Sequence, residues 1–456
     1  VGLTAVSETR PWGPGLPRRG YVVRDGAVAA WILPEAPTQP AAAQGTSATP
    51  AGTPPTQGVP AGSAPADGTS AGAVPAGAAP TSSAPTQVPG ASATDVAFRI
   101  VGAHTDSPAL KLKPRAALNR AGWQLVNAEV YGGALENSFL DRELGLAGRL
   151  TTRDGATHLV RTGPLARVAQ VAPHLDHSVH DALRLDRQAH LLPLWSLAQD
   201  EGAELGPDAV ERYLCEVAGI DFADLAGHDV LTYPTEAPAR FGRRGEFLAS
   251  ARLDNLSSVH AALAALEAVA RGTARDGETG DPIVLVANDH EEVGSQTRSG
   301  AGGPFLETVL GRLAGVLGVD GDVRAAMLAR SICVSADAGH AVHPGYPHLH
   351  DPAVRPALNR GPLIKINAQQ RYATDAVGTA VWLRACDAAG VPVQSFVSNN
   401  AVPCGTTIGP ITATRLGITT VDVGQALLSM HSQREMCGVA DGPWLARAMR
   451  AFWLGA

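Results

Sequence analysis

Carboxylates and histidines recur in five short segments of this chain, each beside an apolar run or at the head of a helical stretch. The first, Gly102-Ala103-His104-Thr105-Asp106-Ser107-Pro108, follows the strand-like run from Phe98 to Gly102. Its histidine suits a metal ion, and Asp106 two residues on can fix the imidazole tautomer and raise its basicity. A hydrogen-bonded surface pair is the plainer reading of the same spacing. The second, Arg252-Leu253-Asp254-Asn255, opens a helical stretch, where Asp254 is either an N-cap or a carboxylate bridging two metals. In the third, Asp289-His290-Glu291-Glu292-Val293-Gly294-Ser295, adjacent glutamates stand where an apolar strand ends. Such charges are costly unless compensated, and a metal ligand next to a general base meets that need. Ser335-Ala336-Asp337-Ala338-Gly339-His340 and Leu428-Ser429-Met430-His431-Ser432, with Arg434 and Glu435 behind, complete the set. Each segment alone is compatible with a structural role; their number and shared strand-end placement favour a metal site.

The elements that must position these groups are legible in outline. Tyr21 to Leu33 reads as a hairpin turning at Asp25-Gly26. Pro282 to Ala287, Ile332 to Ser335 and Gly417 to Val423 are short apolar runs typical of buried strands, and Leu256 to Ala270 is an Ala-rich amphipathic helix. Sites in open α/β sheets sit at the ends of such strands. The expected fold class is therefore α/β, an α/β core split by an insertion. On this reading, residues 1–114 and 246–456 form the two parts of the catalytic domain and 115–245 the inserted one. Residues 35–95 are almost entirely Ala, Pro, Gly, Ser and Thr, without Lys, Arg or aromatic side chains. That segment cannot bury enough apolar surface to offset its ordering entropy and reads as a disordered, solvated loop. Closing a loop of that length in place of a short one costs only about 2 kcal/mol.

Composition narrows the functional classes. The 456 residues carry a formal net charge of −7, which offers no basic footprint for nucleic acid. Five scattered cysteines without a CxxC pair argue against a disulfide framework or a thiolate zinc site and suit a reducing compartment, the cytoplasm. No apolar run approaches the length of a membrane span, and no charged-then-apolar signal peptide follows Val1.

In their order and wording these segments resemble the aspartyl aminopeptidase family of dinuclear zinc metallopeptidases. The matching stretches include VGAHTDSPALKLKP, YGGALENSFLDRELGLAGRL, ARLDNLSSVHAAL, NDHEEVGSQTRSGA, SADAGHAVHPGYP, IKINAQQRYATDA, VPCGTTIGPITATRLGITTVDVG and LSMHSQREMCG, and they span nearly the whole chain outside the low-complexity stretch. The resemblance implies a zinc-exopeptidase-like mixed sheet flanked by helices, with an inserted β-rich dimerisation domain. It implies that His104 and Asp337 hold one metal, that Glu292 and His431 hold the other, and that Asp254 bridges them. Glu291 would be the general base and Asp106 the group that orients a ligand. Two divalent cations against Asp254, Glu292 and Asp337 leave a net positive site that favours a bridging hydroxide. Zinc suits this nitrogen and oxygen set, and cobalt or manganese could replace it. The same resemblance puts His340, Lys365 and Tyr372 in the substrate pocket, with Lys365 favouring an acidic N-terminal residue. It makes His174 a group that reaches a neighbouring subunit to stabilise the tetrahedral intermediate, in a dimer-based homo-oligomer as large as a dodecamer. His343, His348 and His350 read as polar loop residues.

Some positions depart from the family pattern. Ser138-Phe139-Leu140 stands before Asp141-Arg142 in place of an aromatic pair, Ser398-Asn399-Asn400-Ala401 replaces an Arg-Asn-Asp type sequence, and the family's N-terminal helix is not seen before Val1. These changes touch substrate preference and subunit contacts and leave the metal set intact. Two competing readings share the residues. One is a dinuclear amidohydrolase acting on acylated or C-terminal residues; the other is a silent binding protein that keeps the fold, against which the full ligand set speaks.

Overall fold

A computed structural model describes residues 2–34, 96–200, 203–272 and 280–456. The low-complexity reading of residues 35–95 lies outside the described residues.

The expected strands assemble into a nine-stranded mixed sheet. Its order is Thr4–Ala5, Arg19–Arg24, Ala27–Ile32, Ile283–Asn288, Arg99–His104, Ile332–Ala336, Thr419–Gly424, Leu363–Lys365, Gln394–Phe396. The Asp25-Gly26 hairpin forms where the sequence places it, with Arg24 paired to Ala27 and Asp25 in the left-handed region that such a turn needs. The four central strands, Ile283–Asn288, Arg99–His104, Ile332–Ala336 and Thr419–Gly424, run parallel to one another. All four therefore end on the same edge of the sheet.

These strands alternate their buried side chains between two helical layers, as a period of two requires. Val101, Leu285, Val334 and Val421 pack with helices Leu253–Arg271, Ala376–Ala389 and Asp441–Trp453, through residues such as Leu266, Trp382 and Phe452. Ile100, Val284, Val286 and Cys333 face the opposite layer, where Phe305, Leu310 and Leu313 of helix Phe305–Val316 and Met327 of helix Gly321–Arg330 are buried. With both faces covered, the strands read as continuous apolar runs, which is why they were recognisable in the sequence.

A second sheet of seven strands is built wholly from residues between Ala109 and Pro234. Leu144 to Thr152 pairs with Leu225 to Pro234, so the first and sixth strands meet and close a ring. Leu110, Val126, Leu144, Leu146 and Val230 fill its core, capped by Val210 and Leu214 of helix Ala209–Ala218. A third, five-stranded sheet joins Ala239–Phe241, Phe247–Ser250, Glu435–Gly438, Ala426–Leu428 and Gly339–His340. It fixes the chain on either side of His431. Among the described residues no helix is long and apolar enough to cross a membrane.

Candidate metal centre

Parallel pairing brings the sequence-separated segments together. His104 is the last residue of its strand and pairs with Asn288, after which Asp289 to Glu292 turn over the sheet edge. Ser335 pairs with Asp422 on the next strand, and Asp337 follows one residue beyond the strand end. Gly424 is required beside it, since a Cβ there would lie 1.7 Å from the Asp337 carbonyl oxygen. Asp254 comes from the irregular head of helix Leu253–Arg271, where Asp254 and Asn255 are non-helical and Arg252 occupies the N-cap position. The Asp254 carboxylate is turned toward two histidines rather than capping the helix. His431 arrives on the loop after Ala426–Leu428.

The five expected ligands form one cluster. His104 Nε2 lies 3.2 Å from Asp254 Oδ1 and 3.6 Å from Asp337 Oδ1. His431 Nε2 lies 3.6 Å from Asp254 Oδ2 and 3.4 Å from Glu292 Oε2. Each oxygen of Asp254 thus faces a different histidine. Two donor triads, His104, Asp254 and Asp337 on one side and Asp254, Glu292 and His431 on the other, each fit within 4.8 Å and share Asp254. A third triad, His104, Glu291 and Glu292, brings in Glu291.

The donor set fits divalent cations on several independent counts. Both histidines are bonded through Nδ1 to a backbone carbonyl, His104 to Asp106 at 3.1 Å and His431 to Gly133 at 2.7 Å. Such bonds place the proton on Nδ1 and turn the Nε2 lone pair toward the carboxylates. Asp254 Oδ1 and Glu292 Oε1 are buried and accept no well-aligned hydrogen bond from a described residue. Buried carboxylate oxygens left in this state need a partner.

Protonation follows the same logic. Burial opposes charge on His104, but its bonds to Asp106, Asp254 and Asp337 outweigh that and hold its pKa well above the ordinary histidine value. His431 is likewise disfavoured by burial yet raised to about 9 by Asp254 and Glu292. Burial raises Asp254, but the two histidines more than reverse this and keep it below the usual carboxylate range. Burial, reinforced by the Asp254 charge against the opposing His431, lifts Glu292 to about 9. Glu291 rises to about 7, first through burial and then through the Asp337 charge.

A second layer holds the ligands in place. Asp106 Oδ1 and Oδ2 each accept a backbone N–H at 3.0 Å, from Glu291 and Glu292 respectively, and Tyr131 donates its hydroxyl to Oδ2 at 2.8 Å. His104 Nδ1 lies 3.5 Å from the same carboxylate. Glu435, buried at 1% exposure, was noted in the sequence only as a neighbour of His431. Its Oε1 accepts the N–H of His431 at 2.7 Å and its Oε2 that of Asp254 at 3.0 Å. One carboxylate therefore ties two ligand loops together. Gly132 takes φ +75°, and a Cβ added there would lie 3.0 Å from the Glu292 Cβ. The YGG run was thus the available sequence signal for this contact.

Lys365 is buried rather than at the surface, 1% exposed. Its Nζ donates to the Ala338 carbonyl at 2.9 Å, lies 3.8 Å from Asp337 Oδ2 and stands 5.1 Å from the Tyr372 ring centroid. His340 and Tyr372 line a cavity of about 230 Å³ together with His343 and His350. The last two, read from sequence as loop residues, are brought there by the bridge between His350 and Ser398 and by the His343 N–H bond to His350 Nε2 at 3.0 Å. His348 is exposed. His174 sits on an exposed turn of the second sheet's connecting loop, and it belongs to none of the three donor triads.

Histidines and carboxylates converging at the carboxyl edge of a helix-covered mixed sheet, with an acid beside them, define a metallohydrolase of the zinc-peptidase class. A family model, "Aminopeptidase I zinc metalloprotease (M18)", matches residues 82–453. The chain belongs to this M18 family of zinc aminopeptidases, enzymes that hydrolyse N-terminal peptide bonds. It is 50% identical over 367 residues to "Probable M18 family aminopeptidase 2" of Streptomyces coelicolor, a match covering 80% of this chain and 83% of that one. Among solved structures, the one titled "Cryo-EM structure of the Ape4 and Nbr1 complex" matches with a TM-score of 0.82 and 28% identity over 99% of this chain and 80% of that one. The S. cerevisiae mApe1 dodecamer matches with a TM-score of 0.74 and 24% identity over 99% and 90% of the two chains.

Proposed function

We propose that this aminopeptidase works with two divalent cations, zinc in the first instance and cobalt or manganese as substitutes. His104 and Asp337 would hold one ion, Glu292 and His431 the other, and Asp254 both. The observation that carries the reading is Asp254 itself, whose two oxygens face two different histidines at 3.2 and 3.6 Å. Bound cations would supply Lewis-acid polarisation of the scissile carbonyl and a lowered pKa for water.

The remaining work falls to the chain's own side chains. Glu291, beside the cluster and raised to about 7 by burial and by Asp337, is suited to take a proton from the attacking water and pass it to the leaving amine. Asp106 positions it, by holding the N–H groups of Glu291 and Glu292. Substrate enters beside His340 and Tyr372, which line the adjoining cavity. Lys365 lies directly behind Tyr372 and within 3.8 Å of Asp337. With Asp337 serving as a metal ligand, the Lys365 charge would favour an acidic first residue, Asp or Glu.

The closed second sheet, residues 115–245 in the main, serves dimerisation, and His174 of one copy reaches the centre of another to stabilise the tetrahedral intermediate. His174 and the 83% exposed Leu175 support this, being displayed on a projecting turn. The dodecameric state of the similar mApe1 supports a larger homo-oligomer here. Five free cysteines suit the reducing cytoplasm.

Metal analysis of the purified protein combined with Glu291→Gln is the test. The variant should keep two ions per subunit and lose peptide hydrolysis by a factor of 10² or more, at the scale of general-base catalysis; retained hydrolysis would sink the mechanism. For Lys365→Met, loss of discrimination between aspartyl and leucyl substrates is expected, and unchanged discrimination removes Lys365 from specificity.

A further inference from the structure

A second cavity, about 680 Å³, lies on the far side of Asp106, between the carboxyl edge of the nine-stranded sheet and the closed seven-stranded one. Most of the charges lining it are already matched. Asp229 takes Lys111 at 3.1 Å and Arg149 at 3.0 Å, while Asp25 takes Arg149 at 3.3 Å and Arg298 at 3.0 Å.

Three lining charges, Arg252, Arg161 and Asp289, meet no lysine, arginine or carboxylate of opposite sign among the described residues. The Arg252 guanidinium faces no carboxylate among the described residues; its recorded bond is a long one, 3.4 Å, to the Thr232 carbonyl. Asp289 accepts the N–H of Gly26 at 3.2 Å and of His290 at 2.9 Å and lies 3.6 Å from His290 Nδ1, and among the described residues it meets no lysine or arginine. Arg161 adds a second guanidinium to the cavity wall. It is held over the Tyr233 ring at 5.1 Å, donates to the Tyr233 hydroxyl at 3.1 Å, and is also free of a carboxylate among the described residues.

Arg252 is largely buried without a carboxylate partner, which is expensive, whereas Arg161 is exposed, and neither has paired with Asp289 across the cavity. A ligand carrying both signs would satisfy both. We propose that this cavity binds a free α-amino acid, its carboxylate on Arg252 and Arg161 and its ammonium on Asp289. Free amino acids are what an aminopeptidase releases, so the site would sense product. Its route to the chemistry is short, because Asp106 lines the same cavity and holds the N–H groups of Glu291 and Glu292. Occupancy would also act on Asp289, two residues before the proposed base. The proposal does not depend on how many metal ions the centre holds.

Titration calorimetry of the metal-loaded, full-length protein with L-selenomethionine tests it, together with anomalous scattering from crystals soaked in the same compound. Two binding events per subunit are expected, one at the metal centre and one in this cavity. Anomalous density should lie inside this cavity, beside Arg252 and Asp289 at the distance of the ligand's side chain. Asp289→Asn and Arg161→Gln should each weaken the second event at least tenfold and leave the first in place; Arg252→Met should abolish it. Density at the metal centre alone, a single binding event, or a second event indifferent to all three substitutions overturns the assignment. Using Arg161→Gln, on the second sheet and remote in sequence from every ligand, keeps the test informative if Arg252→Met fails to fold.

Discussion

Replacing Glu435 by glutamine isolates the contribution of the carboxylate that ties the Asp254 and His431 loops together. The wild-type side chain accepts two buried N–H bonds, at 2.7 and 3.0 Å. Each bond to a charged acceptor is worth about 1.5–3 kcal/mol. Glutamine keeps one acceptor oxygen and presents an NH₂ group to the other N–H, so one bond is lost and two donors face each other. Against this, burial and the Asp254 charge raise Glu435 to about 7, and the neutral amide removes that penalty. The two effects offset in the metal-free protein, whose stability should change by only about 1 kcal/mol. They do not offset in the metal-loaded protein, where the Asp254 and His431 loops must stay fixed. Substitutions of groups that orient metal ligands cost about 10–100-fold in affinity, or roughly 1.4–2.7 kcal/mol. Competition with a fluorescent zinc chelator would measure the affinity, and urea unfolding of the stripped protein the stability. Wild-type zinc affinity in Glu435→Gln would refute the view that this carboxylate positions the two ligands.

Three further outcomes follow from the same geometry. Tyr131→Phe removes the hydroxyl that Asp106 Oδ2 accepts at 2.8 Å; kcat should fall about tenfold, at the scale of one lost bond to a charged group, with metal content unchanged, and an unaltered kcat would remove Tyr131 from the positioning of Asp106. Gly424→Ala sets a methyl 1.7 Å from the Asp337 carbonyl oxygen, so it should lower metal occupancy or soluble yield, and a fully loaded, normally stable variant would contradict the packing. Asp441 is completely buried and raised to about 6, chiefly by burial against the N–H groups of Asn359 and Gly361. Because the folded value exceeds the unfolded one, the associated stability is present below about pH 4 and is lost as pH rises through 6, up to about 3 kcal/mol. Urea midpoints from pH 4 to 7 should fall more steeply in the wild type than in Asp441→Asn.

The amino-acid sequence determined the local pieces. Continuous apolar runs marked the central strands because helices cover both faces of the sheet. Asp25-Gly26 marked the hairpin because only such residues take its left-handed turn. The histidines and carboxylates were legible as strand-end groups, and their order along the chain was specific enough to reveal the family. Tertiary structure alone decided how they meet. Parallel pairing of three strands distant in sequence sets His104, Glu292 and Asp337 on one edge. Asp254 lies between the two histidines because an irregular helix head turns its carboxylate away from the cap. The depth of Lys365, the convergence of His343 and His350 on His340, and the double bond acceptance of Glu435 had no periodic signature. Each depends on contacts between segments tens or hundreds of residues apart, and local spacing carries no record of these.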